Sequence, residues 1–212
     1  MKKILEKTKY ILFDFDGVIA DSFAVAFEVN NMICPHVTHD DYRRAFEGNV
    51  NDWKEPFHTD DCRRDLDFFK EYVPKMKKEV KVFDGMLEVI ENLSRNYTLI
   101  IISSTVTSPI KEFMIWHNKT QCFAEIMGND VHKSKAEKIK MVFSKYKINN
   151  QQCLFITDTL GDIKEASHMG VDTIAVTWGF HNEITLAKGN PLAMVKGPDE
   201  LVGAINNYFG RM

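Results

Sequence analysis

Long apolar runs are missing from this 212-residue chain. No stretch approaches the ~18 consecutive apolar residues that a membrane-crossing helix needs. The opening MKKILEKTKY interrupts each short apolar run with charge, so the apolar centre of a secretory leader is absent too. Cysteine is scarce. Cys34, Cys62, Cys122 and Cys153 stand far apart with no C-x-x-C, which removes the case for a zinc knuckle or a thioredoxin-type redox pair. Free thiols in a reducing compartment are the expectation, and together these absences place the chain in the cytoplasm. A strong charge of either sign is lacking as well. The 27 Lys and Arg nearly balance 30 Asp and Glu, leaving a net charge of -3 and a pI near 6.2. That balance carries no electrostatic footprint for nucleic acid or an acidic membrane surface. The short basic run Lys75 to Lys78 lies beside glutamates and reads as a solvated helix face. No G-x-x-x-x-G-K-[ST] occurs, so P-loop kinase chemistry is disfavoured.

What is present is an alternation. Short apolar runs, Tyr10 to Phe15, Thr98 to Ile102, Cys122 to Ile126, Cys153 to Ile156 and Thr173 to Val176, are separated by stretches of helical period. Met86, Val89, Ile90 and Leu93 recur at i, i+3, i+4 and i+7, and Ala136, Ile139, Phe143 and Tyr146 form a similar stripe. A further helix is expected to start near Gly161 and stop at Gly170. Such alternation predicts an α/β fold, a mainly parallel sheet layered between helices in the Rossmann-like manner. One region breaks the rhythm. From Ser22 to Val82 aromatic residues (Phe23, Phe27, Tyr42, Phe46, Trp53, Phe57, Phe68, Phe69, Tyr72) are spread among charged ones, and Pro74 stands near the rear boundary. This reads as a helical insertion between the first and second strands. At 44% hydrophobic residues the chain can hold one sizeable core plus such an insertion.

In open parallel sheets ligands bind beyond the carboxyl ends of the strands. Read off in order, those ends carry Asp14 and Asp16, then Ser103 and Ser104, then Lys133 and Lys135, then Asp158 and Asp162. Two carboxylates at i and i+2 of an extended segment point the same way, roughly 7 Å apart at about 3.3 Å rise per residue. They repel unless a cation lies between them. Magnesium takes one or two carboxylates, waters and a substrate phosphate, and Asp158 would complete its site from a neighbouring strand. The plainer alternative is that Asp14 and Asp16 merely hydrogen-bond the turn at Gly17.

Taken together these residues resemble the haloacid dehalogenase-like hydrolase superfamily, and within it the phosphoglycolate phosphatase-like members. The first motif of that family, DxDGxxxDS, stands here as DFDGVIADS from Asp14 to Ser22. The second, a Ser or Thr after a hydrophobic strand, matches LIIIS ending at Ser103. The third, a lysine opening a helix, matches HKSKAEKI. The fourth, D-x-x-x-D, matches Asp158 and Asp162 of ITDTLGDI. The resemblance implies a core of residues 1–20 and 83–212, with residues 21–82 as a helical cap over the site. It implies that Asp14 takes the phosphoryl group as an aspartyl-phosphate and that Asp16 serves as general acid and then base. Magnesium would be held by the Asp14 carboxylate, the Asp16 carbonyl and Asp158. Ser103, with Ser104 beside it, and Lys135 would bind the phosphoryl oxygens, and Asp162 would orient the lysine or a metal-bound water. Two departures stand out: Thr157 where the family often has Gly, and Lys135 followed by Ala136 rather than Pro, with Lys133 as the rival third-motif lysine.

The expected activity is hydrolysis of a small phosphorylated metabolite. Dehalogenases of the superfamily lack the second carboxylate of the first motif, so Asp16 favours phosphoryl transfer. A phosphomutase or a phosphonatase of the same superfamily is the alternative, Lys54 being a conceivable Schiff-base lysine for the latter. A phospho-acceptor or binding module without turnover is the remaining one. In the cap, Arg43 and Arg44 could meet a second anionic group on the substrate or simply face solvent.

Overall fold

Tyr10, Ile11, Leu12 and Phe13 are buried on both faces of the sheet they enter, which is why this strand reads as an unbroken apolar run rather than an alternating one. In the computed structural model, which describes residues 8–52 and 59–210, this strand is β1 (Tyr10–Phe13). A two-residue β2 (Ala20–Asp21) follows, then α1 (Phe23–Ile33), α2 (His39–Arg44) and α3 (Phe68–Glu79), then β3 (Lys81–Val82). The remainder alternates: α4 (Met86–Ser94), β4 (Thr98–Ile102), α5 (Thr107–Trp116), β5 (Phe123–Met127), α6 (Lys135–Tyr146), β6 (Cys153–Thr157) and α7 (Leu160–His168). It ends with β7 (Asp172–Val176), α8 (Glu183–Ala187), β8 (Ala193–Val195) and α9 (Pro198–Gly210).

Among the described residues the main sheet has six strands in the order β5-β4-β1-β6-β7-β8, every pairing parallel. Successive side chains point to opposite faces, and the core divides accordingly. Ile11, Phe13, Leu99, Ile101 and Ile156 pack with α4, α5 and α9 on one side. Tyr10, Leu12, Ile100, Ile102 and Phe155 pack with α6 and α7 on the other. The three-layer α/β architecture expected from the alternation is the one found. The chain runs outward from β1 to β4 and β5, then returns to β6 on the other side of β1. That reversal opens a crevice at the carboxyl ends of β1 and β6.

The Ser22 to Val82 stretch holds α1, α2 and α3 with 3₁₀ turns at Ala45–Glu47 and Val50–Asp52. Two short strands flank it: β2 pairs antiparallel with β3, Ala20 opposite Val82 and Asp21 opposite Lys81. Helices α1 and α3 pack together, burying Val25, Ala26 and Val29 of one and Tyr72 and Met76 of the other. Helix α3 runs through Pro74 to Glu79. Trp53 and Phe57, as well as Lys54, lie outside the described residues.

Two further differences from the sequence expectation concern short elements and sulfur. Strand β8, of three residues, and α8, of five, carry too few positions for a period to register. The expectation of free thiols is corrected for two of the four cysteines: Cys34 and Cys62 form a disulfide, whereas Cys122 and Cys153 are free. Cys34 caps the end of α1, and the Arg63 N–H next to Cys62 donates to the Ile33 carbonyl at 2.7 Å. Pairs that meet only through folding have no spacing signature. No helix among the described residues is long and apolar enough to cross a membrane.

A cross-link spanning 28 residues restrains the unfolded chain by roughly 3–4 kcal/mol in the loop-entropy account. Replacing both Cys34 and Cys62 by Ser is therefore expected to lower the urea midpoint clearly. A thiol titration of unfolded, unreduced protein should count two reactive groups; four would remove the bond from the fold.

Candidate active site

Beyond Phe13 the chain leaves the sheet while the Asp14 N–H still donates to the Ile156 carbonyl at 2.9 Å, so Asp14 is delivered to the crevice between β1 and β6. The turn that follows is tight: Ile19 and Ala20 N–H both donate to the Phe15 carbonyl at 2.9 Å. Gly17 adopts a φ of +74°, and a Cβ there would stand 1.9 Å from Asp158 Oδ2. Gly179 presses from the other side, its Cβ position 2.3 Å from the same oxygen. The absence of side chains at these two glycines leaves the room that the Asp158 carboxylate occupies.

Lys135 opens α6, whose N-terminus is capped by the Ser134 hydroxyl accepting from the Glu137 N–H. Its ammonium reaches Asp14 Oδ2 at 2.6 Å and Asp162 Oδ2 at 2.5 Å, with Lys135 only 3% exposed. Lys133, two residues earlier, is exposed and contributes its carbonyl to the Asn51 side chain. Thr157, the departure from the family pattern, has a positive use: its hydroxyl donates to Asp162 Oδ2 at 2.7 Å. Asp16 sits one step further out. Its Oδ1 accepts from the Tyr72 phenol at 2.8 Å and its Oδ2 from the Thr105 hydroxyl at 2.8 Å, with the Ser103 hydroxyl at 3.4 Å. Ser103 itself is fully buried and accepts from the Thr105 N–H, whereas Ser104 and Thr105 line the cavity above the site.

Electrostatics follow from this burial. Desolvation drives the Asp14 carboxyl well above its ordinary range; Lys135 opposes the shift, and Asp162 and Asp158 add to it. Asp162 is buried too, yet Lys135 and the hydrogen bonds it accepts bring its pKa below the usual value. Burial works against the Lys135 charge, but the carboxylates of Asp14 and Asp162 more than restore it. Asp158 is pushed up to about 7, chiefly by burial, although the Phe180 N–H donates to its Oδ2 at 2.7 Å. Its Oδ1 is buried with no hydrogen-bond partner.

That orphaned oxygen bears on the metal. Among the described residues no three His, Cys, Asp or Glu side chains converge as a ready-made cage. What the crevice has is the Asp14 and Asp158 carboxylates, with the Asp16 backbone nearby. Such an open oxygen set is what magnesium uses, completing its shell with water and phosphate. A divalent cation would satisfy Asp158 Oδ1 and relieve the excess negative charge, so the residues fit the group.

The helical segment lies over this crevice. Arg43 donates from Nε to the Phe180 carbonyl at 3.0 Å, Lys164 to the Glu47 carbonyl at 2.8 Å, and the Tyr72 phenol reaches Asp16. His181 is buried, its Nδ1 accepting from the Leu160 N–H, so Nε2 carries the proton donated to the Arg43 carbonyl at 2.9 Å. Arg44 pairs with Asp41. Neither Arg43 nor Arg44 lines the cavity of about 420 Å³ enclosed beneath the segment.

A family model described as haloacid dehalogenase-like hydrolase matches residues 11–176. The chain belongs to that family. Among the relatives of this hydrolase is a phosphoglycolate phosphatase of Synechococcus elongatus, 22% identical, covering 94% of this chain and 98% of that protein. Another, from Aliivibrio fischeri, is 23% identical over 89% of this chain and 92% of its own. A solved haloacid dehalogenase-like protein of Agrobacterium tumefaciens shares the fold with a TM-score of 0.76 at 17% identity, covering 94% and 98% of the two chains.

Several residues of this hydrolase's site escape sequence reading. Thr105 stands two positions after Ser103, and Tyr72 reads only as one aromatic of the insertion. Lys138 lies one turn beyond Lys135 on the same helix face, hidden in the run KAEKIK. It is fully buried and donates to the Ser103 carbonyl at 2.5 Å, anchoring the loop that carries Ser104 and Thr105. Burial, with Lys135 adding to it, lowers the Lys138 pKa to about 8 from an ordinary 10.5. The unfolded chain binds this proton more tightly than the folded one, so stability gained from Lys138 rises with pH between those values. Unfolding free energies of wild type and Lys138→Met, measured at pH 8 and at pH 10.5, are expected to diverge in favour of wild type at the higher pH. A constant difference would contradict the burial of the charge.

Proposed function

We propose that this hydrolase is a magnesium-dependent phosphatase that cleaves a small phosphomonoester through an aspartyl-phosphate on Asp14. The observation that carries the reading is the grouping at one crevice of a buried nucleophile, Asp14, a lysine on it, and a second carboxylate, Asp16, held by the Tyr72 and Thr105 hydroxyls. The names of the two phosphoglycolate phosphatase relatives support it.

On this reading Asp14 attacks phosphorus, oriented by the Phe15 N–H that donates to its Oδ1 at 2.7 Å. Asp16 delivers a proton to the departing alkoxide, then takes one from the water that cleaves the acyl phosphate. Lys135 offsets negative charge on Asp14 and the transferring group, while Asp162 keeps that lysine in place. Ser104 and Thr105 line the same cavity and supply hydroxyls to the phosphoryl oxygens; Ser103 acts from behind them, through its contacts with Asp16 and Thr105. Held by Asp14, Asp158 and the Asp16 carbonyl, magnesium would supply positive charge to the phosphoryl oxygens. Residues 21–82 serve as the cap and residues 1–20 with 83–212 as the core. Tyr72, Arg43, Lys164 and His181 are among the hydrogen-bonded links between them.

Hydrolysis of p-nitrophenyl phosphate is expected with magnesium and not in the presence of a chelator. Asp14→Asn should lower kcat on the order of 10³-fold or more without changing the circular dichroism spectrum; unchanged turnover would end the covalent mechanism. Lys135→Ala should cost about 10²-fold or more, and Lys133→Ala no more than about twofold. Equal effects would misplace the lysine. Location is a separate matter: the sequence argues for the cytoplasm, and the Cys34–Cys62 bond for an oxidising compartment. Acid trapping of thiols in intact cells separates them, four reactive groups marking the first and two the second.

A further inference from the structure

The cavity between the helical segment and the strand ends is built unevenly. Its floor carries the charged groups, Asp14, Asp16, Asp162 and Glu165 against Lys135. Its roof carries Ile33, Tyr42, Phe46, Leu66, Phe68 and Phe69. Phe46, Phe68 and Phe69 are only partly buried, so their rings are still available for contact with a ligand. Asn30 also lines the roof, and its Nδ2 is buried without a hydrogen-bond partner. A buried amide donor left unpaired is unfavourable, and a hydrogen-bond acceptor in the cavity would relieve it.

Charge decides the substrate class. Four carboxylates against one ammonium leave the described lining with a formal excess of three negative charges, which a divalent cation reduces to one. Lys135, the lysine of the described lining, is already shared between Asp14 and Asp162. Arg43 is turned to the Phe180 carbonyl and Arg44 to Asp41. A substrate bearing a second anion would therefore bury it against apolar rings and carboxylates with no partner among the described residues, where desolvation goes uncompensated. Size points the same way, since a two-carbon acid leaves most of a cavity of about 420 Å³ unfilled, and well-matched ligands bury most of their surface.

From these observations we infer that the cavity takes a phosphomonoester of an uncharged alcohol with a flat, largely apolar body, which lies against Phe46, Phe68 and Phe69 and accepts a hydrogen bond from Asn30. The inference rests on the phosphatase reading and departs from the substrate in the relatives' names. Phosphoglycolate, whose leaving group carries a carboxylate, is the poor substrate of the set.

The test uses the full chain with magnesium and three phosphates with similar alcohol leaving groups: benzyl phosphate, 4-carboxybenzyl phosphate and 2-phosphoglycolate. Benzyl phosphate is expected to show a kcat/KM at least tenfold above each of the other two. Equal or better turnover of phosphoglycolate or of the carboxybenzyl ester overturns the inference. A chain that cleaves none of these, nor p-nitrophenyl phosphate, overturns the phosphatase reading instead, and binding then decides the pocket. By calorimetry benzylphosphonate should bind at least tenfold tighter than phosphonoacetate, and the reverse order refutes the apolar roof. For Asn30, a ring carbonyl on benzyl phosphate should lower KM about two- to tenfold in the wild type. In Asn30→Leu the carbonyl-bearing and unsubstituted esters should have equal KM, whatever the overall turnover of the variant; a gain that survives the substitution removes Asn30 from recognition.

Discussion

Lys135 is wedged between Asp14 and Asp162 with all three side chains out of water, and most of the site follows from accommodating that buried charge. A buried ion pair is weak evidence for stability, because desolvation offsets much of the attraction. Here one ammonium faces three carboxylates once Asp158 is included, so the cluster is held together by its surroundings rather than by its own balance. The Thr157 hydroxyl on Asp162, the Phe15 N–H on Asp14 and the Phe180 N–H on Asp158 each satisfy one oxygen. Asp158 Oδ1 is buried and left unpaired, the oxygen that a divalent cation would satisfy.

The same crowding explains why the neighbouring backbone has no side chains at certain points. Gly17 and Gly179 flank the Asp158 carboxylate closely enough that a methyl group at either would overlap it. At Gly161 the start of α7 meets the helical segment directly, a Cβ there standing 2.1 Å from the Gly48 carbonyl oxygen. Contact at that closeness, with Tyr72 on Asp16 and His181 on the Arg43 carbonyl, connects the roof to the chemistry. Movement of the segment would loosen Asp16 as well as open the cavity. On the proposed mechanism, selection of a substrate and positioning of Asp16 run through one set of hydrogen bonds.

The fold was legible where burial is one-dimensional. A strand covered on both faces has to be apolar throughout, so β1, β4 and β6 announce themselves as runs, and α4 shows a clear stripe because one face meets the sheet. Legibility failed where an element is too short for a period, as in β2, β3, β8 and α8. It failed again where a partner lies far off in the chain. Nothing around Cys34 points to Cys62, and nothing local to Tyr72 or Thr105 points to Asp16. Lys133 and Lys135 look alike in HKSKAEKI; only the turn that starts α6 sends one inward and leaves the other in solvent.

By itself the sequence determined that a parallel α/β core would end its strands in carboxylates, hydroxyls and a lysine, because apolar runs and polar strand ends are local properties of the chain. Tertiary structure alone decided which of those groups share a crevice, which oxygen is left unpaired, and that the cavity above them is roofed by rings and an unpaired amide rather than by Arg43 and Arg44. The physical reason is desolvation. A charge has its shifted affinity for protons, metals and phosphate only after distant segments have excluded water from it, and no window of neighbouring residues contains that information.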